Sequence, residues 1–92
     1  MIVWKENPNG YCPVQALGWI NDRAFYFRSR WKTSTITIAD NQDKNRDPLD
    51  VINLDNATEH DLKEFEDSFA AGWIEHEEAK ELIINFANNL GE

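Results

Sequence analysis

Residues 14–27 read Val-Gln-Ala-Leu-Gly-Trp-Ile-Asn-Asp-Arg-Ala-Phe-Tyr-Phe. Two apolar runs flank Asn21-Asp22, a pair that tolerates the left-handed backbone region and suits a two-residue hairpin loop. Closing the hairpin there pairs Ile20 with Arg23. Gly18 then faces Phe25, Ala16 faces Phe27, and Cys12 faces Trp31. Small residues thus meet aromatic ones on a single face, which fixes the register by parity.

The pattern extends outward on both sides. Asn7-Pro8-Asn9-Gly10 is a turn signal, because Pro sets φ and Gly accepts positive φ. Strands are expected at Ile2–Glu6, Tyr11–Ile20, Arg23–Lys32 and Thr35–Ala39, as an antiparallel meander of about four strands. Closing the first turn at Pro8-Asn9 puts Val3 beside Val14. The expected core face is therefore Val3, Cys12, Val14, Ala16, Phe25, Phe27 and Trp31, joined by Ile36 and Ile38, with Cys12 as a small buried hydrophobe. The opposite face carries Ile2, Trp4, Gln15, Leu17, Trp19, Tyr26, Arg28 and Arg30. Solvated sheet faces normally alternate to polar residues. Trp4, Trp19, Tyr26, Arg28 and Arg30 are instead the residue types of interface centres. They are a candidate partner or dimer surface, unless the connector folds back over them.

Residues 40–57 are polar and contain Pro48, and they read as a connector. Residues 58–91 read as a helical hairpin. Thr58 and Asp61 resemble a capping box, Leu62, Phe65, Phe69 and Trp73 recur at helical spacing, and Gly72 supplies the stop as a left-handed cap. A second helix opens at Glu75, Glu77 and Glu78 and carries the stripe Ala79, Leu82, Ile83, Phe86, Ala87 and Leu90. Ile84 falls outside that stripe. The expected fold is a single α+β domain over residues 1–92, two-layered: the meander (1–39), the connector (40–57) and an acidic two-helix hairpin (58–91) on one sheet face. Glu64 and Asp67 on the first helix, and Glu77 and Glu81 on the second, point away from the stripes as a candidate acidic partner-binding face.

The 92 residues carry a net charge of −8. Residues 1–39 hold five bases against two acids, and residues 40–92 hold four bases against fifteen acids. One cysteine excludes an intramolecular disulfide and a cysteine-based zinc site. No apolar run approaches a membrane span of ~18 residues, and the N-terminus lacks signal-peptide character, so a cytoplasmic protein without membrane contact is expected. Asp43, Asn45 and Asp47 imitate a calcium loop, but Pro48 and Leu54 stand where that loop needs Gly and Glu. His60 and His76 have no ligand partner at metal spacing. Asn56-Ala57-Thr58 matches the glycosylation triplet only in letters. No nucleophile–base constellation or phosphate loop is present. Neither enzymatic activity nor a cofactor is expected. Arg23 to Lys32 is basic and aromatic, but the net charge opposes binding to nucleic acid directly.

Cys12-Pro13-Val14-Gln15, Gly18 and Phe25-Tyr26-Phe27-Arg28-x-Arg30 together resemble a pattern in small phage and bacterial proteins of unassigned function. As a class, short acidic α+β chains are similar to phage-encoded inhibitors of host defence, including anti-CRISPR proteins. That resemblance implies a phage- or prophage-encoded inhibitor in a bacterial host cell. Its partner would be a host protein with a basic nucleic-acid-binding surface, engaged by the carboxylates. The alternative is a small binding or homodimerising module that uses the aromatic and arginine sheet face.

Overall fold

Asn21 and Asp22 take φ of 50° and 68°, the positive pair that a tight two-residue hairpin loop requires. Strands β2 (Val14–Ile20) and β3 (Arg23–Arg30) pair across it as Ile20↔Arg23, Gly18↔Phe25 and Ala16↔Phe27. The computed structural model describes residues 1–30, 32–53, 56–66 and 73–90. Around the hairpin it places β1 (Ile2–Asn9), β4 (Thr33–Ala39) and β5 (Ala57–Glu64). The five strands form one antiparallel sheet in the order β1-β2-β3-β4-β5. A short 3₁₀ helix (Pro48–Asn53) lies in the connector, and α1 (His76–Asn89) follows the sheet.

The core lies between one sheet face and α1. Val14, Ala16, Ile20, Phe25, Phe27, Ile36 and Ile38 are buried there with Ala79 and Ile83 of α1, and Leu82, Phe86, Ala87 and Leu90 pack against them. The helical stripe read from the sequence is thus the buried face of α1, and Ile84 is exposed. The hydroxyls of Ser29 and Ser34, both fully buried, hydrogen-bond each other at 2.6 Å. Their mutual bond removes the penalty of burying either one alone.

Two expectations are corrected. The first concerns β1. It does not turn at Pro8-Asn9 but continues to Asn9, and Asn9 pairs with Gln15. Proline is tolerated there because β1 is an edge strand. Positive φ falls instead on Gly10 and Cys12, before a cis Cys12-Pro13 bond. Val3 therefore pairs with Trp19, not Val14. An odd shift in register moves a side chain to the other face. Val3 is 47% exposed, whereas Ile2 and Trp4 join the core, with Trp4 edge-on to Phe25 at 6.0 Å. Cys12 is exposed in the loop and belongs to no core. Trp31 lies outside the described residues.

The second correction is larger. Residues 57–64 are a fifth strand, not a first helix, so no two-helix hairpin forms. The open edge of β4 offers a row of backbone donors and acceptors, and pairing with it satisfies both strands. Leu62 and Phe65 still reach the core, which is why their spacing imitates a helix. His60 packs on Phe86 at 5.0 Å from mid-strand, and Lys63 Nζ meets Glu78 of α1 at 2.5 Å. Phe69 and Gly72 lie outside the described residues. Among the described residues, no helix is long and apolar enough to cross a membrane.

Candidate functional site on the outer sheet face

Alternation places Ala24, Tyr26, Arg28 and Arg30 of β3 on the face turned away from α1. Thr33, Thr35, Thr37 and Ala39 of β4 lie beside them through the pairs Arg30↔Thr33, Arg28↔Thr35 and Tyr26↔Thr37. On β5 the partners are Thr33↔Glu64, Thr35↔Asp61, Thr37↔Glu59 and Ala39↔Ala57. This face thus carries three columns in order: arginine, threonine and carboxylate.

The connector divides the face. Val51 is fully buried against Ala24 and Ala39, with Trp19 and Ala57 packed alongside. Several polar bonds hold it there. The Trp19 indole N–H donates to the Arg46 carbonyl at 3.0 Å. Gln42 Nε2 donates to the Asn21 carbonyl at 2.9 Å, and the Asp43 N–H to the Asp22 carbonyl at 2.7 Å. Asp47 accepts from the Leu49 N–H and from Lys5 Nζ, each at 3.0 Å. The Leu49 N–H, and then Lys5, hold the Asp47 carboxyl below its ordinary value of 3.8.

The other half of the face stays open as a cleft of about 310 Å³, lined by Tyr26, Arg28, Arg30, Thr33, Thr35, Thr37, Ile52 and Glu59. Ile52 of the 3₁₀ helix stands at the covered end and is 56% exposed. The Tyr26 hydroxyl donates to Gln15 Oε1 at 3.1 Å, which fixes the half-buried ring. Thr35 Oγ1 donates to the Arg28 carbonyl at 3.4 Å. Arg28 itself is exposed.

The residues singled out from the sequence are dispersed by this arrangement. Tyr26, Arg28 and Arg30 come together in the cleft. Trp4 is on the core face, where Lys80 Nζ sits 5.5 Å from its ring centre. Trp19 is half-buried under the connector. Glu64 pairs with Thr33 on the outer sheet face, across the sheet from α1. Glu77 and Glu81 are exposed one turn apart on α1. Asp67 lies outside the described residues. Glu64, on β5, therefore shares no helical surface with Glu77 and Glu81. The cleft residues missed were Thr33, Thr35, Thr37, Ile52 and Glu59. The alternation Thr33-x-Thr35-x-Thr37 beside Arg28-x-Arg30 is a signal that could have found the threonines.

Other chemistry is accounted for locally. Asp43 accepts from the Asn45 N–H at 3.1 Å and lies 3.9 Å from Arg46 Nε. With Asp47 bonded to the Leu49 N–H and to Lys5 of β1, both calcium-like carboxylates are engaged by protein partners. His76 Nε2 is 2.9 Å from the Gly10 carbonyl, and its ring stacks on Tyr11 at 4.8 Å. Tyr11 also stacks on Trp73 at 5.3 Å. These rings fasten the entry of α1 to the β1–β2 loop. Among the described residues, no group of three or more His, Cys, Asp and Glu is placed to hold a metal ion. Comparison of the chain with protein-family models, curated proteins and solved structures finds no match in any of the three.

Proposed function

We propose that this protein is a non-enzymatic binding module that recognises its ligand with the open half of the outer sheet face. The observation that carries this reading is the division of that face. The connector seals the end at Ala24, Ala39 and Ala57 and leaves Tyr26, Arg28, Arg30 and the threonine column uncovered beside it. A sheet that needed only to be solvated would carry scattered polar side chains. This one presents a concave surface with an apolar wall at one end and guanidinium groups at the other. Binding sites are commonly concave, with a few placed polar groups. The test is a fragment screen on the ¹⁵N-labelled protein. Binders should shift the amides of Tyr26, Arg28, Thr35, Thr37 and Glu59. Binders that shift only α1 amides would overturn the reading.

A second reading keeps the acidic surface in view. Glu77 and Glu81 are exposed on one side of α1, in the half of the chain that holds fifteen of the seventeen acids. Such a surface would be steered to a basic groove, as for a phage or prophage inhibitor of a host nucleic-acid-binding or defence protein. The loss of the helical hairpin weakens it, since Glu64 no longer shares a surface with Glu77 and Glu81. Under this reading, Glu77→Lys with Glu81→Lys abolishes partner binding and leaves the cleft untouched. A homodimer through the sheet face is the remaining partner arrangement, and sedimentation of the purified protein separates it from the other two.

A further inference from the structure

We infer that the cleft takes a small organic acid, a carboxylate or phosphate monoester on an apolar body, with the acid group held by Arg28. This rests on the reading of the cleft as the binding site and adds the chemistry of its occupant.

The charge pattern sets the acid. Arg28 and Arg30 are two residues apart on β3, so their Cα atoms are about 7 Å apart along one column. Arg28 is exposed, and its fork matches a carboxylate or phosphate with two parallel bonds. The threonine column lies next to it at the inter-strand spacing of about 4.8 Å. The hydroxyls of Thr33 and Thr37 add neutral donors beside the guanidinium, while that of Thr35 donates to the Arg28 carbonyl and offers the ligand only its lone pairs. Glu59 closes the far side of the cleft. Its carboxylate repels a second acid at that end and favours a ligand donor there. The cleft thus orients its occupant, with acid toward β3 and the uncharged body toward the connector.

Shape sets the size and the apolar body. Ile52 and the Tyr26 ring form the wall at the connector end. About 310 Å³ is near the lower bound of ligand pockets, which start at about 300 Å³. The connector blocks the face beyond Ala24 and Ala39, so a polymer cannot run along β3 through the site. A net charge of −8 also opposes a polyanion, whose affinity depends on neutralising many phosphates. A single acid group avoids that repulsion and keeps the one strong contact.

Calorimetry on the full chain tests this with matched pairs. The probes are N-acetylphenylalanine against its amide, and uridine monophosphate against uridine. The acid of at least one pair should bind at least about ten-fold more tightly than its neutral partner, the scale of a charge-assisted bond lost. Arg28→Gln should remove that preference, and Arg28→Lys should retain only part of it, because the fork is lost. Glu59→Gln should tighten acid binding. The pair that shows the preference identifies carboxylate or phosphate as the preferred acid. If acid and neutral probes bind alike, with amide shifts in the cleft, the inference falls and the site reading stands. If every bound probe shifts amides outside the cleft, or no probe binds, both fall. An unchanged unfolding midpoint for Arg28→Gln excludes misfolding as the cause of any loss.

Discussion

Replacing Gly18 with alanine is expected to cost about 2–3 kcal/mol of stability, within the range for overpacking a filled site. Gly18 is buried on β2, where β1 crosses it closely. An added Cβ would lie 2.3 Å from the Val3 carbonyl oxygen, 3.0 Å from Phe25 Cε1 and 3.3 Å from the Trp4 Cα. Two of these neighbours are backbone atoms, so no side-chain rotation relieves them. β1 would have to lift by roughly 1 Å to restore ordinary van der Waals separation. That shift breaks ladder bonds near the Trp4↔Gly18 pair and pulls the Trp4 edge off Phe25. The alanine would stabilise the chain by only about 0.4–1 kcal/mol through the unfolded state, too little to compensate. Urea unfolding followed by tryptophan fluorescence measures the difference. With a slope of about 1–2 kcal/mol/M for a small domain, the midpoint should fall by roughly 1–3 M. A midpoint within about 0.3 M of the native one, less than roughly 0.5 kcal/mol, would refute the close approach of β1 to Gly18.

Phe27→Ala should lose about 3–5 kcal/mol, as for a large aromatic truncation in a core, and a loss under about 1 kcal/mol in the same urea titration would remove Phe27 from the core. Trp19→Phe deletes the indole donor to Arg46 and should cost about 1 kcal/mol, with hydrogen exchange accelerating before it does in β3 at Asp43, whose N–H ties the connector to the Asp22 carbonyl, and at Asp50, whose N–H bonds Asp47 within it. Asp47 is held below 3.8 by the Leu49 N–H and by Lys5. Its contribution to stability is complete above that ordinary value and disappears as pH falls through the lower folded one. An NMR titration should show the Asp47 carboxyl rising toward 3.8 in Lys5→Met, and no change there would contradict the contact. Glu77→Lys with Glu81→Lys should leave stability within about 1 kcal/mol, two exposed changes at about 0.5 kcal/mol each.

The β2–β3 hairpin was legible because three signals agreed: turn residues, parity, and small side chains facing aromatic ones. The stripe from Ala79 to Leu90 was legible because α1 is long and its period clean. β1 misled because Pro8 looked like a turn corner, and only its place at the sheet edge lets it remain in a strand. β5 misled because Leu62 and Phe65 fit helical spacing while His60 and Leu62 fit strand spacing. The unpaired edge of β4, invisible in a local window, decides between them. At the site, Tyr26, Arg28 and Arg30 were readable from the parity of β3 alone. Glu59 and Ile52 were not, because their positions depend on the fifth strand and on the path of the connector. Glu64 was drawn on a first helix where β5 runs instead, and so it was grouped with Glu77 and Glu81 of α1, with which it shares no surface.

The central claim is that the open half of the outer sheet face binds ligand and the acidic side of α1 does not. Thr35→Trp fills the cleft with a large side chain that strands accommodate well, whereas Glu77→Lys with Glu81→Lys alters only α1. The decisive measurement is the dissociation constant of N-acetylphenylalanine, or of uridine monophosphate if that is the tighter probe, for the native chain and both variants. Thr35→Trp should weaken binding at least about ten-fold, a loss of about 1.4 kcal/mol, while the double reversal leaves it unchanged. Binding that survives Thr35→Trp and is lost in the double reversal would contradict the claim.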